Sequence, residues 1–147
     1  MRSRLTGVEL IHIGSSAIPG LLGKPVVDAA AITARSDLRE EQRSFECRGF
    51  QHRAVWVDND DKPYVCGSVR HDGRFFNVNV HICHRGDPLH TDSIAFVEIL
   101  TQRADRRRRY ESAKDRAHAI APLNPEIYDR AKEGVIRAIQ ALRNQSC

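Results

Sequence analysis

The segment from Arg74 to Cys83, RFFNVNVHIC, constrains the fold of this chain more than any other. The dipeptide Asp72-Gly73 precedes it and is typical of the tight turn between two paired strands. Because successive side chains of a strand point to opposite faces, the segment presents one apolar face and one polar, uncharged face. The apolar face contains Phe76, Val78, Val80 and Ile82, and the polar face contains Asn77, Asn79, His81 and Cys83. We therefore expect a sheet strand whose polar face lies beneath a cleft.

The remainder of the first half is rich in strand signals. Strands are predicted at Val8–Ile13, Pro25–Ile32, Gln51–Val57 and Tyr64–Arg70. One short helix is predicted at Ser36–Arg48, with Ser36 as its N-terminal cap and Gly49 just after its end.

The second half has helical spacing. From Asp92 the apolar residues recur at helical intervals past Tyr110 toward Ile120. A last helix is predicted with Asn124 as its cap and Pro125 at its first position. Its predicted apolar stripe consists of Ile127, Ala131, Val135, Ala138 and Leu142. A strand-rich first half followed by a helical C-terminal half indicates an α+β fold.

Length and composition fit one soluble domain. The 147 residues are 41% hydrophobic and 29% charged, so we expect a single domain over residues 1–147. No apolar run approaches the roughly 18 residues that span a bilayer, and the start has no signal-peptide pattern. We expect a cytoplasmic protein without a membrane partner. The four cysteines form no C-x-x-C pair, which argues against a disulfide framework.

The net charge of +4 makes an anionic ligand plausible without identifying one. Much of the positive charge lies in Arg103–Arg116, where Asp105, Glu111 and Asp115 are interspersed. This pattern is typical of a solvated helix face, and phosphate or nucleic-acid contact is the alternative. Nucleic-acid binding is the weaker interpretation, because the arginines lack interleaved aromatic residues on which bases could stack.

The segment HIGSSAIPGLLGKPVVD, residues 12–28, carries the candidate site. Gly14 allows close approach of the backbone, and the N–H groups and hydroxyls of Ser15 and Ser16 can hold phosphate oxygens. Lys24 could reach the same phosphate. Asp28 is an acid in an otherwise apolar strand, which is costly unless the acid is paired or bound to a metal ion such as Mg²⁺. A structural pairing of Asp28 is the alternative.

This segment resembles the GrpB family of the nucleotidyltransferase superfamily. The matching residues are His12, Ile13, Gly14, Ser15, Pro19, Gly20, Leu21, Lys24, Pro25 and Asp28. The chain also has Y-x-x-x-K at Tyr110–Lys114 and again at Tyr128–Lys132, in the layout of that family. The resemblance implies a small mixed sheet flanked by helices and a nucleotide or phosphorylated small molecule as ligand. It also implies a helix before the first strand, where this chain has only about seven residues. We therefore expect either a shortened start or a second copy of the chain that covers the exposed surface in a homodimer.

Two departures from the family pattern bear on activity. Ala30 stands where nucleotidyltransferases place a second metal-binding acid beside Asp28, and the later strand has Asn79 and His81 but no carboxylate. One carboxylate is a poor match for a two-metal transfer. Two interpretations therefore stay open: a transferase in which Asp28 and His81 are catalytic and Asp28 holds Mg²⁺, or a binding or regulatory module without turnover.

Other metal and nucleophile interpretations are weaker. A zinc site from His81, Cys83, His84 and His90 lacks the close-spaced ligand pairs of structural zinc sites. One divalent ion held by Asp28 and His81 together fits the pattern better. Cys83 is a poor candidate nucleophile, because His81 would lie beside it on the strand and not in position to deprotonate it.

Overall fold

The computed structural model describes residues 4–5, 7–21, 23, 25–52, 62–120 and 123–141. The strands are β1 (Arg4–Leu5), β2 (Val8–Ile13), β3 (Val26–Thr33), β4 (Gln51–His52), β5 (Tyr64–His71) and β6 (Arg74–His84). The helices are α1 (Leu38–Glu46), α2 (Pro88–Gln102), α3 (Ala104–Ile120) and α4 (Pro125–Ala141), and a 3₁₀ turn covers Ser15–Ala17. The order confirms the predicted α+β class.

The described strands form one mixed sheet in the order β1-β2-β3-β6-β5-β4. Among these described strands only β3 and β6 pair in parallel, and α1, β4 and β5 lie between them in the chain. All other neighbours are antiparallel. The parallel pair lies at the centre, where Asp28 of β3 is opposite Asn79 of β6. The topology therefore brings the two segments singled out in the sequence next to each other.

The central strands are covered on both faces. The first face packs with α1 through Val8, Ala31, Leu38, Phe45, Val65, Val80 and Ile82. The second face has a smaller apolar cluster of Ile13, Ala30, Ile32 and Cys83, against which Leu89 of α2 packs. Cys83 belongs to the predicted polar face of β6, yet it is buried in this second cluster. The polar part of that face is therefore confined to the earlier residues of β6.

The hairpin prediction is confirmed. Asp72 and Gly73 both have positive φ angles, 48° and 76°, and they join β5 to β6 with His71 opposite Arg74. Two successive positive φ angles define the turn type whose twist matches that of paired strands. The predicted strand at Gln51–Val57 is described only as far as His52, and its remainder lies outside the described residues.

The helix α1 begins one residue later than predicted. Asp37, not Ser36, caps it, because the Asp37 side chain accepts a hydrogen bond of 2.8 Å from the Arg39 N–H. Both residue types are good caps, so the sequence pattern alone could not choose between them. Gly49 follows the helix with a φ of 90°, as its position predicted.

Chain contacts divide the protein into two compact units, Met1–Ser93 and Ile94–Cys147. In the second unit α3 packs against α4, and Phe96 meets Tyr110 edge to face at 5.2 Å between ring centroids. The predicted long helix is interrupted at Arg103 and starts at Pro88, four residues before Asp92. None of the described helices is long and apolar enough to cross a membrane. The single domain stays a prediction.

The cap of α4 is confirmed and its apolar stripe is not. Asn124 accepts hydrogen bonds from the N–H groups of Glu126 and Ile127, at 3.1 and 3.2 Å. The buried side of α4 contains Tyr128 and Ile139. Of the predicted stripe, Val135 is half-buried, Ile127, Ala131 and Ala138 are exposed, and Leu142 lies outside the described residues. The helical period was right, but the choice of face was wrong, because the alternative stripe contains the larger Tyr128.

Candidate functional site

The turn that follows β2 is built around Gly14. This residue has a φ of 70° and a ψ of −170°, a backbone conformation that L side chains rarely adopt. A Cβ added at Gly14 would also lie 3.1 Å from Oδ2 and 3.3 Å from Cβ of Asp28. Glycine is thus required for two reasons, the left-handed backbone and the close approach to Asp28.

The two serines of the turn have different surroundings. The Ser16 hydroxyl lies 2.9 Å from Nε2 of His12 and accepts a long hydrogen bond of 3.4 Å from the Asp28 N–H. Ser16 therefore ties the turn to β2 and β3. The Ser15 hydroxyl makes no hydrogen bond to any other part of the chain that the structure describes. Ser15 is half-buried and available to a ligand.

Asp28 is half-buried on the second face of the sheet. Its Oδ1 accepts a hydrogen bond of 2.9 Å from the Asn79 side-chain amide of β6. Within the described residues it forms no ion pair with a lysine or arginine. Its charge is therefore compensated by an amide and by partial solvation, and Oδ2 lies against Gly14.

His81 lies on the same face as Asp28. It is opposite Ala30 in the parallel pair, and its ring lies 4.9 Å from that of Tyr64, measured between centroids. Burial lowers the pKa of His81, and the nearby Asp28 carboxylate only partly opposes this shift. The pKa of His12 is lowered for the same reason. Both imidazoles are therefore neutral near neutral pH, and neither supplies a positive charge for a phosphate.

A row of polar side chains extends this face along the hairpin. The Ser68 hydroxyl of β5 donates a hydrogen bond of 2.9 Å to Oδ1 of Asn77, its cross-strand neighbour. Cys66 lies opposite Asn79 in the same register. Sequence reasoning missed Ser68 and Tyr64. Counting outward from the Asp72-Gly73 turn, which sets the register, would have placed both on the polar face.

The predicted site residues come together with one exception. Gly14, Ser15, Ser16, Asp28 and His81 are all at or near one face of the β3–β6 pair, whereas Lys24 lies outside the described residues. Their proximity does not establish the binding and catalytic roles predicted for them. The catalytic roles of Asp28 and His81 stay predictions.

The described residues do not fit a two-metal site. They contain no group of three His, Cys, Asp or Glu side chains that could hold a metal ion. Ala30, at the position of a second acid, is fully buried in the apolar cluster. A single Mg²⁺ ion at Asp28 stays a prediction.

The zinc interpretation also finds no cluster. Nε2 of His84 lies 2.8 Å from the Arg35 carbonyl oxygen, and Nδ1 of His90 accepts a hydrogen bond from the Gly86 N–H. Both rings thus have structural partners. Burial, with a smaller contribution from Asp87, raises the pKa of the Cys83 thiol to about 11. A thiol of that pKa is protonated at neutral pH and is a poor nucleophile.

A cavity of about 370 Å³ lies elsewhere, where β6 ends and α1 and α2 begin. Its lining includes Asp37, Lys62, His84 and Asp87, and none of the predicted site residues. It is an alternative location for a ligand among the described residues of the first unit.

Comparison with known proteins identifies the family. A family model described as GrpB protein matches residues 1–142. The chain belongs to the GrpB family. It is 33% identical to the UPF0157 protein SCO7215 of Streptomyces coelicolor over an alignment of 138 positions, which covers 91% of this chain and 68% of that protein. It is 29% identical to the UPF0157 protein PA4798 of Pseudomonas aeruginosa over an alignment of 153 positions, which covers 95% of this chain and 59% of that protein.

A solved structure shows the same fold. The crystal structure of the conserved protein GrpB from Enterococcus faecalis superposes with a TM-score of 0.69 over 95% of this chain and 84% of that one. The identity is 18%, so the likeness concerns the fold alone. The chain spans about two thirds of the first curated relative and 59% of the second, and neither relative's name states a ligand or reaction.

Proposed function

We propose that this GrpB-family protein binds a nucleotide or another phosphorylated small molecule at the Gly14–Ser16 turn. The observation that carries the proposal is a glycine with a positive φ and no Cβ, followed directly by Ser15, whose hydroxyl has no hydrogen-bond partner among the described residues. An anion can approach such a backbone closely and receive N–H and O–H hydrogen bonds together.

The local charge decides what form the ligand takes. Asp28 lies against the turn, and both nearby histidines are neutral, so a bare phosphate would meet an unfavourable negative potential. A cation must accompany the phosphate. This cation can be a Mg²⁺ ion that the nucleotide's phosphates carry, in which case the Asp28 carboxylate is one of its ligands. It can also be the side chain of Lys24.

Binding without phosphoryl transfer follows from the same residues. Transfer through two metal ions needs acids on both sides of the reacting phosphorus, and the described part of the site offers Asp28 alone. We expect no detectable pyrophosphate release from nucleoside triphosphates. Robust release that Asp28→Ala abolishes would instead support the transferase interpretation, with Asp28 and His81 as catalytic residues.

The direct test compares serine variants by calorimetry. A thermal-shift screen with nucleotides, sugar phosphates and divalent ions first selects the tightest ligand, since a ligand at 100 times its Kd adds about 2.7 kcal/mol of stability. Ser15→Ala should then weaken binding by about tenfold or more, because a hydrogen bond to a charged group is worth about 1.5–3 kcal/mol.

The control is Ser112→Ala, which removes an exposed serine of α3. It should leave the affinity unchanged, and its melting temperature should not fall, because alanine favours a helix over serine. Equal affinity of the wild type and Ser15→Ala, with a folded variant, would contradict phosphate binding at this turn.

A further inference from the structure

We infer that the ligand of this site carries a flat aromatic base, which stacks on Phe75 beside Arg70, and is therefore a nucleotide and not a non-aromatic phosphate ester. The inference rests on the proposed function, because it places the other end of the same ligand.

Phe75 belongs to the site face of the sheet. Two hydrogen bonds fix that face, one from Asn79 to Asp28 and one between Ser68 and Asn77. Alternation along β6 puts Phe75 on the same side as Asn77 and Asn79. Arg70 lies directly opposite Phe75 in the hairpin, and its guanidinium carbon is 6.0 Å from the centroid of the Phe75 ring.

The exposure of Phe75 requires an explanation. Its relative exposure is 73%, whereas Phe76, on the opposite face, is 39% exposed. An exposed phenyl ring beside a guanidinium is the combination on which nucleic-acid bases stack, through the π-face of the ring and the cation. A packing role within the described fold does not account for a ring left this open to solvent.

The spacing suits one ligand that reaches both ends. Phe75 lies four positions before Asn79 on β6, which is about 13 Å along the strand. Asn79 in turn contacts Asp28, which lies against Gly14. A nucleoside with a short phosphate chain covers a distance of this size, with its phosphates at Gly14–Ser16 and its base at Phe75. Asn77 and Ser68 lie between these ends and offer an amide and a hydroxyl to the ribose or the base edge.

The experiment is calorimetry with ATP, GTP, CTP, UTP and inorganic tripolyphosphate, each with Mg²⁺, on the wild type and three variants. Phe75→Leu removes the ring and keeps an apolar side chain, and Phe76→Leu is the matched control on the opposite face. Ser15→Ala reports on the phosphate end. Phe75→Leu should weaken the tightest nucleotide by about fivefold or more, because stacking is worth about 1–3 kcal/mol per base. It should leave tripolyphosphate binding unchanged, and Phe76→Leu should leave both unchanged.

The outcomes separate this inference from the proposed function. Nucleotide binding that needs Ser15 but is equal in Phe75→Leu and wild type overturns the inference and leaves the proposed function standing. Binding that needs Phe75 but not Ser15 supports the stacking and overturns the phosphate contact. If Phe75→Leu changes the sedimentation-determined oligomeric state and not the affinity, the ring covers a second copy of this chain, and the inference is overturned.

Discussion

At the scale of single residues, Gly14 is the position at which fold and site depend on the same atoms. Gly14→Ala adds a Cβ about 3.1 Å from the Asp28 carboxylate and forces alanine into a left-handed conformation. A side chain held at a φ of 70° and a ψ of −170° alone costs roughly 1–3 kcal/mol. We expect the free energy of unfolding to fall by more than this, because Asp28 must also shift.

The control is Gly49→Ala, at a φ of 90° with no atom within 4 Å of the added Cβ. It should show the cost of a positive φ without the contact. Chemical denaturation of both variants measures the difference. Equal losses of unfolding free energy in the two variants would mean that Asp28 moves aside without cost. The close approach of Gly14 and Asp28 would then have no effect on stability.

His81 makes a pH-dependent contribution. Its pKa in the folded state lies below the usual 6.5, so at pH below 6.5 the unfolded chain binds a proton that the folded chain does not. The free energy of unfolding therefore does not suffer from His81 above pH 6.5. It decreases as the pH falls from 6.5 toward the pKa of His81 in the folded state. We expect the wild type to lose more unfolding free energy than His81→Gln between about pH 7 and about pH 5. Parallel curves for the two proteins would contradict a buried, neutral His81.

At the scale of elements, the packing of α1 on the hairpin depends on Gly67 of β5. A Cβ at Gly67 would lie 2.8 Å from the ring of Phe50, which packs edge to face on Phe45 of α1. Gly67→Ala should lower the free energy of unfolding by about 1–3 kcal/mol, as overpacking usually does. Thermal and urea unfolding measure the loss.

Gly134→Ala is the contrasting substitution. Gly134 lies within α4 with no atom within 4 Å of an added Cβ, and alanine favours a helix by about 1 kcal/mol over glycine. This variant should be more stable than the wild type. A stabilised Gly67→Ala would show that Phe50 can move away at no cost.

The elements that sequence reasoning predicted are those with a strong local signal. The period of two in β6 and the Asp72-Gly73 turn predicted the hairpin, and Asn124 with Pro125 predicted the start of α4. The buried face of α4 was predicted wrongly, since Tyr128 and Ile139 are buried and Ile127 is exposed. Helical spacing alone fits either face, and the prediction chose the wrong one. The break at Arg103 has no glycine or proline to mark it.

At the scale of the whole molecule, the site is a product of strand order. The Gly-Ser turn and Asp28 belong to one short segment, residues 12–28, so their proximity could be predicted. Asn79, Ser68 and Tyr64 join them only because β6 pairs in parallel with β3 and carries β5 alongside. Parallel pairing brings together residues 51 positions apart, and local patterns contain no information about that register.

Amide chemical shifts during a ligand titration test the central claim most directly. The ligand is the tightest phosphorylated compound from the thermal-shift screen. The account predicts that the largest shifts fall on Gly14, Ser15 and Ser16, with smaller ones at Asp28 and Asn79. Shifts confined to the cavity lined by Asp37, Lys62 and His84, with an undisturbed Gly14–Ser16 turn, would contradict it.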